Sequence, residues 1–265
     1  MGKTAQDDIA ALASQIADWL RHQLDASGAT RFVLGLSGGV DSATVCALCA
    51  RAAGPERVLA AIMPSHSNPT DAADAELVAQ AFHVETVHVD LTPVTDAFLA
   101  AMPPDASAPE DRQRLAVANV RPRLRMTTLY YLGNLRNGMV VGTGNKSEAL
   151  IGYFTKYGDG GVDLLPLADL YKHQVRALAR YLGVPERVVA KPPSAGLWQG
   201  QTDEGEIGLT YDQLDAALAA IEQGDTGAIE PPVLQRVRGL MRASEHKRRP
   251  VPAFHLSTIA PNGIS

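Results

Sequence analysis

The hydrophobic positions of the chain alternate between helical spacing and short continuous runs, which predicts helices and buried strands in turn. Near the N-terminus the helical spacing extends as far as Gly28, and its apolar members are Ile9, Leu12, Ile16, Trp19 and Leu20. Compact apolar runs at 32–36, 58–63, 86–91 and 139–142 predict four strands. Further helices are predicted over 40–53, 71–82, 92–101 and 111–136, and Pro122 indicates a break or kink in the last of them.

This order of elements predicts an α/β fold. Strands that alternate with helices, each strand a buried run, indicate a doubly wound, mostly parallel sheet with helices on both faces. Beyond Gly144 loops dominate, and helices are expected only at about 172–182, 211–221 and 232–243. Neither an internal repeat nor a linker interrupts the pattern, so we expect a single domain over residues 1–265.

Composition and charge narrow the classes of function. The 265 residues are 46% hydrophobic and 20% charged, which is typical of a soluble globular protein. A net charge of −5 argues against a broad nucleic-acid or membrane surface, and neither a signal peptide nor an apolar run long enough to span a bilayer is present. The two cysteines, Cys46 and Cys49, lie in an Ala-rich helix, where core packing without a disulfide is expected. We therefore predict a cytoplasmic protein with no membrane or nucleic-acid partner.

The sharpest motif joins the first predicted strand to the next helix, through Gly35, Leu36, Ser37, Gly38, Gly39, Val40, Asp41 and Ser42. Glycines let the backbone turn tightly, and the start of the helix directs free N–H groups at an anion. The motif lacks the lysine of a Walker A loop and the spacing of a dinucleotide fingerprint. Because a carboxylate would repel phosphate unless a metal bridged them, Asp41 is a candidate Mg²⁺ ligand. The alternative is an aspartate that caps the helix after a glycine turn.

A second polar segment, 142–148, follows the fourth predicted strand. Ligands of doubly wound sheets lie at the carboxyl ends of strands, so Thr143 and Glu148 are expected to face the site of Asp41. Two carboxylates from separate loops would be able to share one Mg²⁺, whereas Glu148 alone would be read as a solvated residue in the first turn of a helix. The glycine-rich polar run 152–164 is typical of a functional loop.

These motifs resemble known families. The Ser-Gly-Gly-Val-Asp-Ser string at 37–42 resembles the pyrophosphate loop of the N-type ATP pyrophosphatases, a Rossmann-like superfamily, and the run 154–163 closely resembles NAD synthetases. Further matches follow in the family's order, at 119–125, 165–167, 172, 193–197, 201–204, 209, 211 and 246–248. The resemblance extends from about residue 32 to 249. Pro122 and Gly196 depart from it, because the common pattern has Ala and Asp there, so we assign no acid role to position 196.

The resemblance also implies roles for single residues. ATP would contact residues 35–42, Thr143, Lys172 and Ser194, and Mg²⁺ would be held by Asp41 and Glu148. Nicotinic acid adenine dinucleotide would contact Arg123, Lys156, Asp163, His246 and Lys247. The catalytic candidates are Asp41, Lys172 and Asp163, the last to orient or deprotonate ammonia. Trp198 is a candidate lid over the substrate, or a buried anchor.

The implied reaction is ATP-dependent amidation of nicotinic acid adenine dinucleotide by ammonia, through an acyl adenylate, with release of AMP and pyrophosphate. A homodimer is implied, with the dinucleotide near the subunit interface. Only 36 residues precede Ser37, too few for a glutaminase domain, so free ammonia or ammonia from a separate protein is expected. The alternatives are another N-type ATP pyrophosphatase, acting on GMP or tRNA, and a non-catalytic ATP sensor. The presence of Asp41, Glu148, Lys156 and Lys172 together favours the enzyme.

Overall fold

A four-stranded parallel sheet forms the centre of the fold. The computed structural model describes residues 5–103, 105, 107–194 and 202–255. The strands are β1 (Arg31–Gly35), β2 (Val58–Ile62), β3 (Glu85–His88) and β4 (Gly138–Val141), and their order in the sheet is β3-β2-β1-β4. A parallel bridge between Val141 and Leu164 lengthens the sheet beyond β4. All four predicted strands are present, each within a few residues of its expected bounds.

Helices account for most of the remaining structure. Those from the first half of the chain are α1 (Ala5–Ser27), α2 (Val40–Ala53), α3 (Pro69–Phe82), α4 (Thr92–Ala100), α5 (Glu110–Ala118) and α6 (Val120–Arg136). Those from the second half are α7 (Lys146–Ile151), α8 (Lys172–Leu182), α9 (Glu186–Val189), α10 (Asp203–Ile207), α11 (Tyr211–Gln223), α12 (Pro231–Ala243) and α13 (Glu245–Arg248). None of the helices in the described ranges combines the length and the apolar character that crossing a bilayer requires.

Both faces of the sheet are covered by helices. Along β1, Phe32 and Leu34 belong to a core that also contains side chains of α1, α2 and α8, including the free thiols Cys46 and Cys49. Between them Val33 points to the opposite face, where it packs with side chains of α6. This alternation confirms the predicted doubly wound fold, and the predicted burial of both cysteines is confirmed as well.

Two details of the predicted helices are wrong. The single helix expected over 111–136 is two helices, and the junction lies at Asn119 rather than at Pro122. Pro122 is the third residue of α6, where a missing N–H removes no helical hydrogen bond. Trp19, expected on the apolar face of α1, is 40% exposed, whereas its neighbour Leu20 is fully buried.

The part of the chain after Gly144 is more helical than predicted. The short helices α7, α9, α10 and α13 were not expected, because four to six residues are too few for apolar periodicity to register. For two of them the signal lies in the cap instead: α7 begins with a capping box formed by Asn145 and Glu148, and the side chain of Thr202 caps α10. Side chains of α7, α10, α11 and α12 form a third apolar cluster.

Candidate active site

The site lies where the winding of the sheet changes direction. From β1 the chain proceeds to β2 and β3 on one side and then returns to β4 on the other, so β1 and β4 flank a topological switch point. The segments that leave the carboxyl ends of these two strands meet there. Asn145 Nδ2, after β4, donates to Asp41 Oδ1, at the start of α2, over 2.9 Å.

The loop after β1 is held in a tight turn by its own serines. Ser37 N–H donates to Ser42 Oγ over 3.2 Å, and the two hydroxyl oxygens lie 3.0 Å apart. Gly38 has φ +77°, and a Cβ there would lie 2.3 Å from the carbonyl oxygen of Asp71, so only glycine fits. The loop leads directly into α2, whose first N–H groups have no helical acceptor and carry partial positive charge. Such a turn can bind phosphate oxygens.

Beside this loop a buried lysine joins the two acidic residues predicted as metal ligands. Lys172 Nζ, on a side chain 2% exposed, lies 2.6 Å from Asp41 Oδ2 and 3.1 Å from Glu148 Oε1. Asn145, whose Nδ2 donates to Asp41, also donates from its backbone N–H to Glu148 Oε2 over 3.4 Å, and so orients both carboxylates. The structure therefore brings together Asp41, Glu148 and Lys172, which are 131 residues apart at their extremes.

Two residues that received no predicted role complete this cluster. The ring centroid of Tyr211 lies 4.8 Å from Lys172 Nζ, a cation–π distance. Its hydroxyl lies 3.0 Å from Asp203 Oδ2 and 3.3 Å from Glu148 Oε1. Asp203, at the start of α10, is also 3.1 Å from the hydroxyl of Tyr153. Both residues fall among the positions that resemble the family, at 201–204 and 211, but the resemblance gave them no role.

Negative charge exceeds positive charge in the cluster, since three carboxylates surround one ammonium group. Burial raises the pKa of Glu148 and of Asp203, and the nearby charge of Asp41 raises both further, against the opposing effect of Lys172. Burial alone would lower the pKa of Lys172, but Asp41 and Glu148 outweigh it, so the net direction is upward. A further cation would relieve this excess, and carboxylate oxygens are the ligands that Mg²⁺ prefers.

Within the described ranges, no three His, Cys, Asp or Glu side chains are arranged as a complete metal site. Two carboxylates are nevertheless a sufficient protein contribution for Mg²⁺, which usually keeps several waters and binds substrate phosphates. Asp41 and Glu148 fit that pattern, because they flank the loop that is shaped for phosphate.

The second predicted binding region, 152–164, is hydrogen-bonded to helix α13. Gly152 has φ +67°, and a Cβ there would lie 2.1 Å from Cβ of Ser244, just before α13. Lys247 Nζ donates to the carbonyl oxygens of Gly152 and Phe154 over 2.8 and 2.7 Å. Lys156 Nζ donates to the carbonyl oxygen of His246 over 3.0 Å. The structure thus brings together Lys156, His246 and Lys247.

The remaining predicted site residues occupy different places. Arg123, exposed on α6, lies beside the carbonyl oxygen of Lys156 at 3.4 Å. Asp163 lies at the edge of β4, where its carboxylate accepts from Val140 N–H at 2.8 Å and from the Tyr130 hydroxyl at 2.9 Å. Its contacts are therefore with the sheet and α6 rather than with the Lys172 cluster.

Thr143 and Ser194 are the remaining predicted contacts of ATP. Thr143 is half-buried in the segment that follows β4. Ser194 is exposed, at the end of a described segment. Gly196 and Trp198, singled out in the sequence, lie outside the described residues, so the proposed lid stays a prediction.

The fold and the site define the class as a Rossmann-like α/β protein with a phosphate-type loop and an acidic cluster at its switch point. The chain belongs to the NAD synthase family, whose model matches residues 12–251. It is 45% identical over 235 residues to the NH₃-dependent NAD⁺ synthetase of Carboxydothermus hydrogenoformans, covering 89% of this chain and 93% of that one. It is 46% identical over 243 residues to the enzyme of the same name from Archaeoglobus fulgidus, covering 91% and 95%.

Solved structures agree with this assignment. An NMN synthetase from Francisella tularensis superposes with a TM-score of 0.84 at 35% identity, covering 94% of this chain and 99% of that one. An NH₃-dependent NAD synthetase from Campylobacter jejuni superposes with a TM-score of 0.79 at 29% identity, covering 93% and 99%. The predicted family, fold class and ligase activity are confirmed by these comparisons.

Proposed function

We propose that this chain amidates nicotinic acid adenine dinucleotide with ammonia to give NAD, consuming ATP and releasing AMP and pyrophosphate through an acyl adenylate. The observation that carries the proposal is the Lys172–Asp41–Glu148 cluster beside the serine–glycine loop, in a member of the NAD synthase family. Neither another N-type ATP pyrophosphatase nor a non-catalytic sensor is favoured, since the similar curated relatives are NH₃-dependent NAD⁺ synthetases.

The chemistry explains why ATP is consumed. A carboxylate is a poor electrophile, because its charge opposes attack and oxide is a poor leaving group. In the first step a carboxylate oxygen of the nicotinate attacks the α-phosphorus of ATP, and the bond to pyrophosphate breaks. In the second step ammonia attacks the acyl carbon, loses a proton and expels AMP. Each step leaves a stable anion, so the protein mainly positions reactants and stabilises charge.

The roles proposed for the cluster follow from its charges. The N–H groups of residues 37–42 and the start of α2 bind the triphosphate, and Lys172 neutralises charge that develops on its oxygens. Asp41 and Glu148 would hold Mg²⁺, which supplies charge stabilisation to the phosphates when it is bound. Thr143 and Ser194 are proposed as further contacts of ATP.

The roles proposed for the second region follow from unpaired cations. Arg123, Lys156 and Lys247 donate to backbone carbonyl oxygens and not to carboxylates in their contacts within the described chain. Their charge is therefore available to the anionic phosphates of the dinucleotide, with His246 beside them. Asp163 is proposed to orient ammonia from the edge of β4.

We also propose that the nitrogen donor is free ammonia and that the protein works in the cytoplasm. The curated relatives that match most of this chain and most of their own length carry the NH₃-dependent name. Two buried free thiols are compatible with a reducing compartment. Replacing ammonium by glutamine in the assay should abolish turnover, and equal rates with both donors would contradict the proposal.

A homodimer is proposed from the exposed apolar side chains of two neighbouring helices. Leu115 and Val117 of α5 are 56% and 41% exposed, and Tyr131 and Leu135 of α6 are 65% and 62% exposed. Tyr131 and Leu135 lie one turn apart and so share a face of α6, the helix that also carries Arg123. An apolar surface of this kind favours association. In analytical ultracentrifugation we expect the wild type to sediment as a dimer and the Leu135→Glu variant as a monomer. A wild type that sediments as a monomer would contradict the proposal.

A second substrate must be considered, because the Francisella tularensis structure with the TM-score of 0.84 is an NMN synthetase. Nicotinic acid mononucleotide carries the same reacting carboxylate and lacks the adenylate half. The two candidates therefore share the proposed reaction and differ in the adenylate half, whose additional phosphate needs a further cation. The cation-rich region at Arg123, Lys156 and Lys247 favours the larger ligand.

One assay tests the function and chooses the substrate. The protein is incubated with MgATP, ammonium and either acceptor, and the amide product, AMP and pyrophosphate are quantified together. We expect equal amounts of all three, with a higher kcat/KM for the dinucleotide. ADP and phosphate as products would contradict adenylation, and a higher kcat/KM for the mononucleotide would replace the proposed substrate.

A further inference from the structure

The helix that carries Lys172 begins with a single local cap contact, in which Gln174 Oε1 accepts from the N–H of Tyr171 over 2.9 Å. Tyr171 is the N-cap residue of α8 and makes no side-chain cap hydrogen bond. The first N–H groups of a helix nevertheless need acceptors when they are buried. Here they find them on other helices: Lys172 N–H donates to Ser147 Oγ over 3.0 Å, and His173 N–H donates to Asp215 Oδ2 over 3.1 Å.

Asp215, on α11, is the centre of this arrangement. Its other oxygen, Oδ1, accepts from the hydroxyl of Ser147, and Oδ2 also contacts Nδ1 of His173 at 2.9 Å. Asp215 is 4% exposed and Ser147 is fully buried. The Ser147 hydroxyl therefore donates to Asp215 and accepts from Lys172, which links α7, α8 and α11 in one buried network.

The network holds the backbone of Lys172, while the neighbouring residues hold its ammonium group. Ser147 and Glu148 are consecutive, and they contact the backbone N–H and Nζ of Lys172 respectively. Tyr211 and Asp215 are one turn apart on α11. The ring of Tyr211 lies beneath Lys172 Nζ, and the carboxylate of Asp215 accepts from the first turn of α8. The two helices thus fix both ends of one side chain.

We propose that Asp215 is a positioning residue, which sets Lys172 against Asp41, Glu148 and the bound triphosphate through Ser147 and the start of α8. The inference rests on the proposed function, in which Lys172 contacts ATP. A serine or aspartate at position 171 would cap the helix locally. A buried carboxylate from a distant helix is a costlier cap, and what it adds is a fixed relation among three helices.

The test replaces Asp215 by its neutral isostere. Asp215→Asn is expected to lower kcat by about 10- to 100-fold, because an error of roughly 1 Å at the reacting group costs a factor of this size. It should weaken ATP binding, measured by calorimetry with MgATP, without changing the KM of the dinucleotide. Asp212→Asn, on the exposed side of α11, is the matched control and should leave every parameter unchanged.

Ser147→Ala provides an independent variant, since it removes one hydroxyl and leaves the carboxylate in place. Its kcat should fall as in Asp215→Asn, and the double variant should fall no further, because both changes act on Lys172 through the start of α8. Losses that multiply, or a Ser147→Ala variant with the kcat and the ATP affinity of the wild type, would overturn the inference. If Asp215→Asn fails to melt cooperatively, Ser147→Ala decides alone.

The proposed function and this inference fail in different ways. A folded wild type that makes no amide product contradicts the proposed function, and ATP affinity then decides the inference: equal affinities in wild type and Ser147→Ala would overturn it. A wild type that turns over, with both variants matching its kcat and its ATP affinity, contradicts the inference alone.

Discussion

The surroundings of Lys172 and of Lys247 have opposite charge balances. Around Lys172, three carboxylates outnumber one buried ammonium group, and they raise its pKa despite the opposing effect of burial. Around Lys247, the ammonium group contacts two carbonyl oxygens and the face of Phe154, and burial lowers its pKa with only partial compensation from Asp159.

This difference matches two kinds of ligand. A cluster with excess negative charge is suited to a cation, which would bring a triphosphate with it. A region with unpaired positive charge is suited to an anion that is bound directly. On the proposed function, one fold would separate a metal-dependent subsite from a metal-independent one, and the charges of each region predict what its loss would change.

The largest expected effect is on the chemical step at the Lys172 cluster. Asp41→Asn keeps the shape of the side chain but removes the charge that would hold Mg²⁺, so kcat should fall by about 10³-fold. The melting temperature should change little, because carboxylates outnumber cations in the cluster, so Lys172 keeps Glu148 as a partner, and the substitution is isosteric. Steady-state kinetics and thermal melting measure both. Asp18→Asn, at an exposed ion pair of α1, is the control, and equal kcat in both variants would remove Asp41 from the site.

The next effect is on stability, and it contrasts the two lysines. Lys172→Met leaves buried carboxylates without their cation and should cost about 3 kcal/mol of unfolding free energy. Lys247→Met should cost less than half as much, since it leaves only carbonyl oxygens without a donor. Urea unfolding at neutral pH measures both. Equal losses would show that the two regions do not differ as described.

A smaller effect is expected on substrate binding at Lys247. Removing one cation from the phosphates of the dinucleotide should raise its KM about tenfold, since a charge-assisted hydrogen bond contributes roughly 1.5–3 kcal/mol. The affinity for MgATP should not change. Arg249→Gln is the matched control, because Arg249 is exposed and pairs with Glu245 one turn away. An unchanged KM in Lys247→Met, or a tenfold rise in the control, would contradict the proposed contact.

The smallest effect is the dependence on salt. Exposed charges are screened within about 8 Å at physiological ionic strength, whereas buried pairs are screened much less. The KM of the dinucleotide should therefore rise several-fold as salt is added, and kcat should stay nearly constant. Lys247→Met should show a weaker dependence. A kcat that falls with salt while KM is constant would reverse the assignment of the two regions.

Much of the fold was predictable, because long helices and buried strands show a characteristic pattern of hydrophobic residues in the sequence. The bounds of α2 and α8 agree with the predicted 40–53 and 172–182, and all four strands were found from compact apolar runs. The helix α7 was missed because its signal is a cap of two polar residues. Trp19 was misplaced because its position in the helical pattern lies beside, and not on, the buried face of α1.

Only the parts of the site that are formed by local sequence motifs were predictable. The phosphate-type loop could be derived from its glycines, and the meeting of Asp41 with Glu148 from the rule that ligands lie at strand ends. The contacts of Lys172 with Tyr211, and of Ser147 with Asp215, required the packing of α7, α8 and α11. Contacts between segments far apart in the chain produce no characteristic residue spacing in the sequence. Asp203, Tyr211 and Asp215 therefore had no predicted role.

Transfer of oxygen isotope tests the central claim most directly. If the nicotinate carboxylate of the dinucleotide is labelled with ¹⁸O and turned over with MgATP and ammonium, one labelled oxygen should appear in the phosphate of AMP. The other should remain in the amide of NAD, and pyrophosphate should carry none. Label in pyrophosphate or inorganic phosphate, or AMP without label, would contradict attack on the α-phosphorus at this site.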